Sequence, residues 1–372
     1  MEQRQRWAVS ALFLTNGALF ASVLPRLPEV KDRFALSDGE LGLALLGVGL
    51  GGLAGSTATR GLLPRFGARR LAVGSTLLLA AAVPMVGLAP SATALFAILV
   101  GVGVVDSQTD VAMNVSGVEA QRQLDRPVLT SMHAVWSIGA VAGGLVGSAA
   151  AALRVPLAAH LAVVAIACAA LALAVRHDVP DSSRHGTGVR TSGARFSPAL
   201  VLLCGLAVLA AALEDAPSSW SAVYLADHTG AGPGTAGLGF TAFMTAMVLM
   251  RLVGDRVLAR FGPVAVVRAG GLAAAAALGS ALAVGGTAPA LVAFAVVGLG
   301  AATVFPAMIT AAGALPGQGI AAMNVATRVG FLASPPVVGA VADAVGLPLA
   351  LGLLVVPAAL GLGLLAGGVR VR

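Results

Sequence analysis

The sequence predicts an all-α membrane protein of twelve transmembrane helices, arranged as two six-helix halves related by pseudo-two-fold symmetry. Three observations carry that expectation. Of 372 residues, 58% are hydrophobic and only 10% charged, and the mean hydropathy of +0.93 lies far outside the soluble range. Twelve apolar windows, each near the roughly 20 residues a helix needs to cross a bilayer, follow one another with short connections. Residues of the first half also recur in the second: Gly39, Gly42, Leu43 and Arg65-Phe66-Gly67 return as Gly234, Gly237, Leu238 and Arg260-Phe261-Gly262, and Gly101-x-Gly103 returns as Gly298-x-Gly300. Such a chain leaves no room for a sizeable extramembrane domain and excludes a soluble enzyme.

The elements follow in order. MEQRQR leads into span one, about Trp7 to Leu24, which resembles a signal peptide until eleven further spans follow it. Pro25 and Pro28 end it, and the polar stretch to Glu40 reads as an outer loop. Span two, about Leu41 to Thr59, carries Gly47, Gly51 and Gly55 at a spacing that lets another helix approach closely. Arg60, Arg65, Arg69 and Arg70 crowd the next turn before spans three and four, about Leu71 to Leu88 and Ala92 to Val118. Span five, about Val128 to Ala150, holds His133, Trp136 and Ser137 before the Gly139, Gly143, Gly147 series, and span six runs from about Leu157 to Val175. The polar composition from Arg176 to Ser197 cannot bury a core and reads as a flexible linker. The expected organisation is an N-terminal half over 1–175, a cytoplasmic linker over 176–197 and a C-terminal half over 198–372. The second half offers spans at about Ala199 to Leu225, Ala236 to Leu258, Val264 to Gly285, Leu291 to Ala312, Gly319 to Val341 and Pro348 to Gly367.

Charge sets the orientation. The net charge is +7, but the basic residues sit in connections instead of a patch with interleaved aromatics, so no nucleic-acid partner is expected. A cytoplasmic N-terminus places Arg4, Arg6, the Arg60 to Arg70 cluster, Arg122, Arg126, the linker arginines, Arg256, Arg260, Arg268, Arg370 and Arg372 inside, and only Arg26, Lys31, Arg33 and Arg154 outside. Both termini are therefore expected in the cytoplasm. Cys168 and Cys204 lie in apolar runs without CxxC or histidine spacing, so neither a disulfide nor a metal site is expected, and no cofactor is implied.

Polar residues inside the spans are the candidate site. Asp106, Asp110 and Asn114 are four residues apart and stack on one helix face. A carboxylate at the centre of a membrane helix costs roughly 2.5 to 3.5 kcal/mol on insertion scales, so two in adjacent turns need partners, water or protons. Desolvation and mutual repulsion favour a proton on at least one of the two acids, released when a cavity opens, and the alternative is a static hydrogen-bonded or ion-paired strut between helices. Glu214 and Asp215 in span seven point about 100° apart, so Glu214 is taken to face the cavity and add to proton coupling, while Asp215 either joins it or caps an outer cluster. Pro217 is expected to break or kink that span and free carbonyls. Arg328, nine residues into span eleven, demands a carboxylate partner. Arg251, with Asp255 one turn on, reads as an intracellular gate pair, with Arg65 and Arg256 beside the same gates. His133 reads equally as a structural hydrogen-bonder or a proton relay. Trp136 is placed to stack on a solute ring, whereas Trp7 and Trp220 fall near span ends and suit interfacial belts. Asn16, Asn114 and Asn324 suit either a polar solute or helix-to-helix hydrogen bonds worth about 0.6 kcal/mol each.

The six-plus-six duplication, the central linker and the Arg-Phe-Gly turns after spans two and eight resemble the major facilitator superfamily across the whole chain. Asp110-x-x-x-Asn114, His133-Ala-x-Trp136-Ser137-x-Gly139, Trp220-Ser221 after Glu214, Gly254-Asp255-Arg256 and Pro335-Pro336-x-x-Gly339 resemble its bacterial inner-membrane YbjJ-like branch near the fucose permeases. The resemblance implies secondary active transport of a small solute by alternating access. The chain departs from the pattern where Pro64 replaces the aspartate of the signature loop, where Ile98 replaces a span-four arginine, and where Asn16 replaces the span-one carboxylate of fucose permeases. Fucose is therefore not implied.

The expected function is a proton-coupled transporter for a small polar or amphipathic organic solute, acting as a monomer in the bacterial inner membrane. Its partners are that solute, protons and the lipid bilayer. An efflux antiporter is the alternative within transport. An intramembrane enzyme would need a motif such as HExxH or Gly-x-Ser-x-Gly, which the chain lacks, and a non-transporting sensor would normally carry an effector domain.

Overall fold

Helices dominate because apolar backbone in lipid must satisfy its own hydrogen bonds. The computed structural model describes residues 2–125, 128–181, 197–313 and 319–365. Within these residues 11 helical segments are long and apolar enough to cross a membrane. The expected linker falls largely outside the described residues, as does the turn at Arg126.

The chain forms two compact units, one of Met1–Ala35 with Leu43–Gly188 and the other of Leu36–Gly42 with Val189–Arg372. The first contains α1 (Glu2–Val23), a 3-10 turn (Leu24–Arg26), α2 (Leu27–Phe34), most of α3 (Asp38–Ala82), α4 (Met85–Leu88), α5 (Ala92–Leu124), α6 (Leu129–Ala152) and α7 (Leu157–Val175). The second contains α8 (Pro198–His228), α9 (Pro233–Phe261), α10 (Pro263–Val284), α11 (Thr287–Ala301), α12 (Val304–Gly313), α13 (Gly319–Val345) and α14 (Leu347–Leu365). In the first unit α1 is central, packed on α5, α6 and α7; in the second α8 holds the matching position against α9, α11, α13 and α14.

Small residues set the closest packing. A methyl group added at Gly17 would land on the Trp136 carbonyl oxygen, and one at Gly139 on that of Leu14, so α1 and α6 meet backbone to backbone. Gly51, Gly55 and Gly103 do the same between α3 and α5, which bears out the packing role of the span-two glycines. Large apolar side chains such as Leu153, Ile166 and Val284 are exposed, as lipid-facing positions are.

Several expectations change. The stretch read as an outer loop is helical from Leu27 to Phe34, because Pro25 and Pro28 occupy first-turn positions, where a missing N–H costs nothing. Buried Arg26 secures this elbow through Glu29 and the Val155 carbonyl. α8 runs without interruption through Pro217, so the expected break is absent. Conversely, the single span expected from Leu291 to Ala312 is interrupted between α11 and α12.

Spans two and three are joined in α3, whose 45 residues would rise about 68 Å, twice the thickness of a bilayer core. Gly67 divides the run with φ 76° and ψ 160°. The carboxylate of Asp181 lies against its Cα, accepting from the Arg69 backbone N–H at 3.4 Å, while Arg69 Nε donates to the Val179 carbonyl at 2.6 Å. Gly67→Ala is expected to lose about 1–2 kcal/mol of stability, since a side chain both strains this φ and meets Asp181; unfolding in mixed micelles measures it. At its other end, α3 starts within the second unit. There Asp343 of α13 accepts from Ser37 Oγ at 2.8 Å and from the Gly39 N–H at 3.0 Å, capping the helix.

Candidate functional site

The four-residue spacing on α5 does present Asp106, Asp110 and Asn114 to α1 and α6, in two layers one helical turn apart. In the first layer, Trp136 Nε1 donates to Asn16 Oδ1 at 2.7 Å, and Asn16 Nδ2 donates to Asp106 Oδ1 at 2.7 Å. In the second, His133 Nε2 meets Asn114 Oδ1 at 3.1 Å, and Asn114 Nδ2 donates to Asp110 Oδ1 at 3.0 Å and to the Asp110 carbonyl at 2.8 Å. Each layer is thus a ring nitrogen, an amide and a carboxylate in series. Aromatic contacts tie both to α1: Phe13 meets His133 edge-on with centroids 5.0 Å apart, and Phe20 lies 6.1 Å from Trp136.

The layers differ in exposure. Asn16 is only 3% exposed, and Asp106 and Trp136 are half-buried, whereas Asp110 and His133 are exposed. Asp106 also lines a small cavity of about 60 Å³ whose remaining walls are apolar, among them Leu19, Val48, Leu79, Leu99 and Val102. About 100° round α5 from Asp106, the hydroxyls of Ser56 and Ser107 meet at 2.6 Å. The Trp136 indole, expected to stack on a solute, is also held through its N–H by Asn16.

In the second unit Glu214 reaches α9 and pairs with Arg251 at 3.5 Å. This corrects the expected Arg251–Asp255 pair: one turn along α9 offers less contact than a carboxylate aimed from the neighbouring helix. The roughly 100° offset sends Asp215 elsewhere, toward Ser219 at 3.5 Å. Asp215 lies well inside α8, so it does not cap a helix end. Glu214 Oε2 and Asp215 Oδ2 are buried without a hydrogen-bond partner among the described residues. Trp220 is fully buried inside α8, not in an interfacial belt, because the helix continues to His228 and neighbours cover it. Trp7 is 67% exposed at the start of α1.

Asn324 and Arg328 sit exposed one turn apart on α13, and Phe331 on the same helix stacks with Phe305 of α12 at 6.1 Å. Arg65, Asp255 and Arg256 are exposed. Among the described residues no three histidine, cysteine, aspartate or glutamate side chains cluster as metal ligands, and both cysteines are free. Sequence reasoning selected the polar residues of the first unit but missed their pairing, and it missed Asp181 and Asp343 entirely. Asp181 lies in the polar stretch after span six, and Asp343 just beyond the expected end of span eleven at Val341, so neither fell inside an expected span.

Two-unit, all-helical architecture with acids inside apolar helices defines a multi-pass membrane protein, and comparison with known proteins gives its class and family. The chain is 33% identical over 344 residues to the uncharacterized transporter y4wD of Sinorhizobium fredii, covering 90% of each. It is 29% identical over 356 residues to an uncharacterized MFS-type transporter of Yersinia pestis, covering 94% of this chain and 91% of that one. It is 28% identical to the membrane protein MosC of Rhizobium meliloti, covering 92% and 85%. No family profile matches. Among solved structures, the nucleoside transporter NupG superposes with a TM-score of 0.75 at 13% identity, covering 98% of both chains. A bacterial homolog of the human lysosomal transporter Spinster, inward-facing and occupied, gives 0.69 at 14% identity, covering 98% and 95%. The chain belongs to the major facilitator superfamily of transporters. It is a multi-pass membrane protein and not an enzyme.

Proposed function

We propose that this chain is a proton-coupled secondary transporter that moves a small polar or amphipathic organic solute by alternating access. The observation that carries this reading is the pair of carboxylates, Asp106 and Asp110, each wired through an asparagine to a ring nitrogen on α6 within predominantly apolar helices. Static struts would not need two acids one turn apart, one of them exposed. Glu214 with Arg251 supplies a third acid in the second unit, whose pairing can exchange with a proton. Asn16, Asn114, His133, Trp136, Asp215, Asn324 and Arg328 are the proposed solute contacts, and Arg65, Arg251, Asp255 and Arg256 the gate residues.

Division of α3 at Gly67 into two spans supports a count of twelve, in two six-helix halves of 1–175 and 198–372 joined by a cytoplasmic linker. The basic residues support cytoplasmic termini in a bacterial inner membrane. We assign the chain to the YbjJ-like branch and take the monomer as the working unit. An efflux antiporter is the second reading, favoured by the apolar cavity beside Asp106, which suits an amphipathic cation.

The test is proteoliposomes loaded with a pH-sensitive dye and challenged with sugars, amines, organic acids and vitamins. One solute is expected to drive proton movement, and Asp106→Asn or Asp110→Asn to abolish it. Radiolabelled solute that exchanges with no proton signal in the unmodified protein would sink the coupling.

A further inference from the structure

Serine hydroxyls inside these helices commonly turn back to the carbonyl one turn earlier, as Ser22, Ser75, Ser148 and Ser218 do at 2.6–2.8 Å. Two serines beside Asp215 do not. Ser219 Oγ points to Asp215 Oδ1 at 3.5 Å, beyond the roughly 2.5–3.0 Å usual for hydroxyl–oxygen hydrogen bonds. Ser334 of α13, which packs on α8, reaches toward the same carboxylate yet completes no hydrogen bond, although it is only 6% exposed. The Asp215 Oδ2 atom is buried and equally without a donor among the described residues. Buried oxygens in this condition call for a partner that is not a side chain.

Carboxylate and hydroxyl oxygens are hard ligands that suit an alkali or alkaline-earth cation. Their spacing sets its size. Two ligands at right angles about an ion, with bonds of about 2.3–2.6 Å, stand about 3.3–3.7 Å apart, which spans the 3.5 Å between Ser219 and Asp215. Such bonds belong to calcium and to sodium, whose ionic radii are nearly equal, while potassium is larger. Charge separates those two: Glu214 already pairs with Arg251 at 3.5 Å, so the ion meets one remaining carboxylate, which balances a monovalent ion and not a divalent one. A water molecule would satisfy the oxygens but leave the charge. A proton on Asp215 would remove the charge, but its O–H would draw a serine oxygen to hydrogen-bond distance, which neither serine reaches.

We propose that Asp215, Ser219 and Ser334 form a sodium site between α8 and α13 of the second unit. It goes beyond the proton-coupled reading, whose acids are Asp106, Asp110 and Glu214. Three side chains leave coordination positions open, so a solute oxygen can complete the shell and keep Asp215 among the solute contacts. Within the spans packed around the site, the other charged groups are Glu214 on α8, Arg251 on α9 and Arg328 on α13; α11, α12 and α14 carry no ionisable side chain.

Thermal unfolding of the purified full chain in detergent, with chloride salts of sodium, potassium or choline at equal ionic strength, tests it. Sodium is expected to raise the unfolding temperature saturably, because an ion that binds only the folded state stabilises it, and potassium and choline are not. Asp215→Asn is expected to abolish the rise and Asp106→Asn to retain it. Ser334→Ala, which leaves the carboxylate in place, is expected to raise the sodium concentration at half-effect several-fold, and it carries the test should Asp215→Asn not fold. An equal rise with potassium or choline, no rise with any salt, or a sodium rise unchanged in both Asp215→Asn and Ser334→Ala would overturn the site. Binding is read here without transport, so a failure of this site and a failure of proton coupling in the dye assay are separate results.

Discussion

Asn16→Leu is expected to lower stability by about 2 kcal/mol, because one buried side chain serves two half-buried partners and leucine fills nearly the same volume. It would leave the Trp136 N–H without an acceptor and Asp106 without its donor. Each buried unsatisfied group costs about 1–3 kcal/mol, against an average of about 0.6 kcal/mol for hydrogen bonds between membrane helices, where the reference state also finds partners. The larger figure applies because Asn16, the acceptor of the indole N–H, is only 3% exposed. Asn114→Leu is the informative comparison. Its partners Asp110 and His133 are exposed, so water replaces the amide and the loss should stay below about 1 kcal/mol. Unfolding in mixed micelles compares the two; equal losses would show that the first layer is no drier than the second.

Gly17→Leu should have the largest effect on assembly, with the first unit failing to pack. The α1–α6 contact places the Cα of Gly17 against the Trp136 carbonyl, so the clash is with backbone, which no rotamer change relieves. Overpacking of a core costs typically 1–3 kcal/mol, and a forced separation of two helices that also carry Asn16 and Trp136 should exceed about 3 kcal/mol. Gly52→Leu is the control, since nothing lies within 4 Å of the added carbon. Monodispersity after extraction reads the outcome: a well-behaved Gly17→Leu protein would contradict the close approach, and loss of both variants would point to helix hydrophobicity instead.

Much of the architecture was legible because a bilayer leaves few choices. Windows of apolar residues have to be helices when no water can satisfy their backbone, so the spans followed from composition and length alone. Interruptions were harder to read. Pro217 looked like a break, yet proline is tolerated in a packed membrane helix when neighbours cover it. Pro25 and Pro28 looked like a loop, yet they begin new helices. The true division of α3 is at Gly67, where a positive φ, and not a proline, turns the chain.

The sequence by itself determined the membrane class, most of the helical segments, and the short set of polar residues costly to stand in lipid. Cost per residue is a local property, so it can be read locally. Only the tertiary structure decided who meets whom: that Asn16 links Trp136 to Asp106, that Asn114 links His133 to Asp110, and that Arg251 turns to Glu214 and not to Asp255. Those pairings depend on the rotation and close approach of helices far apart in the chain, set by glycines whose partners no local pattern names.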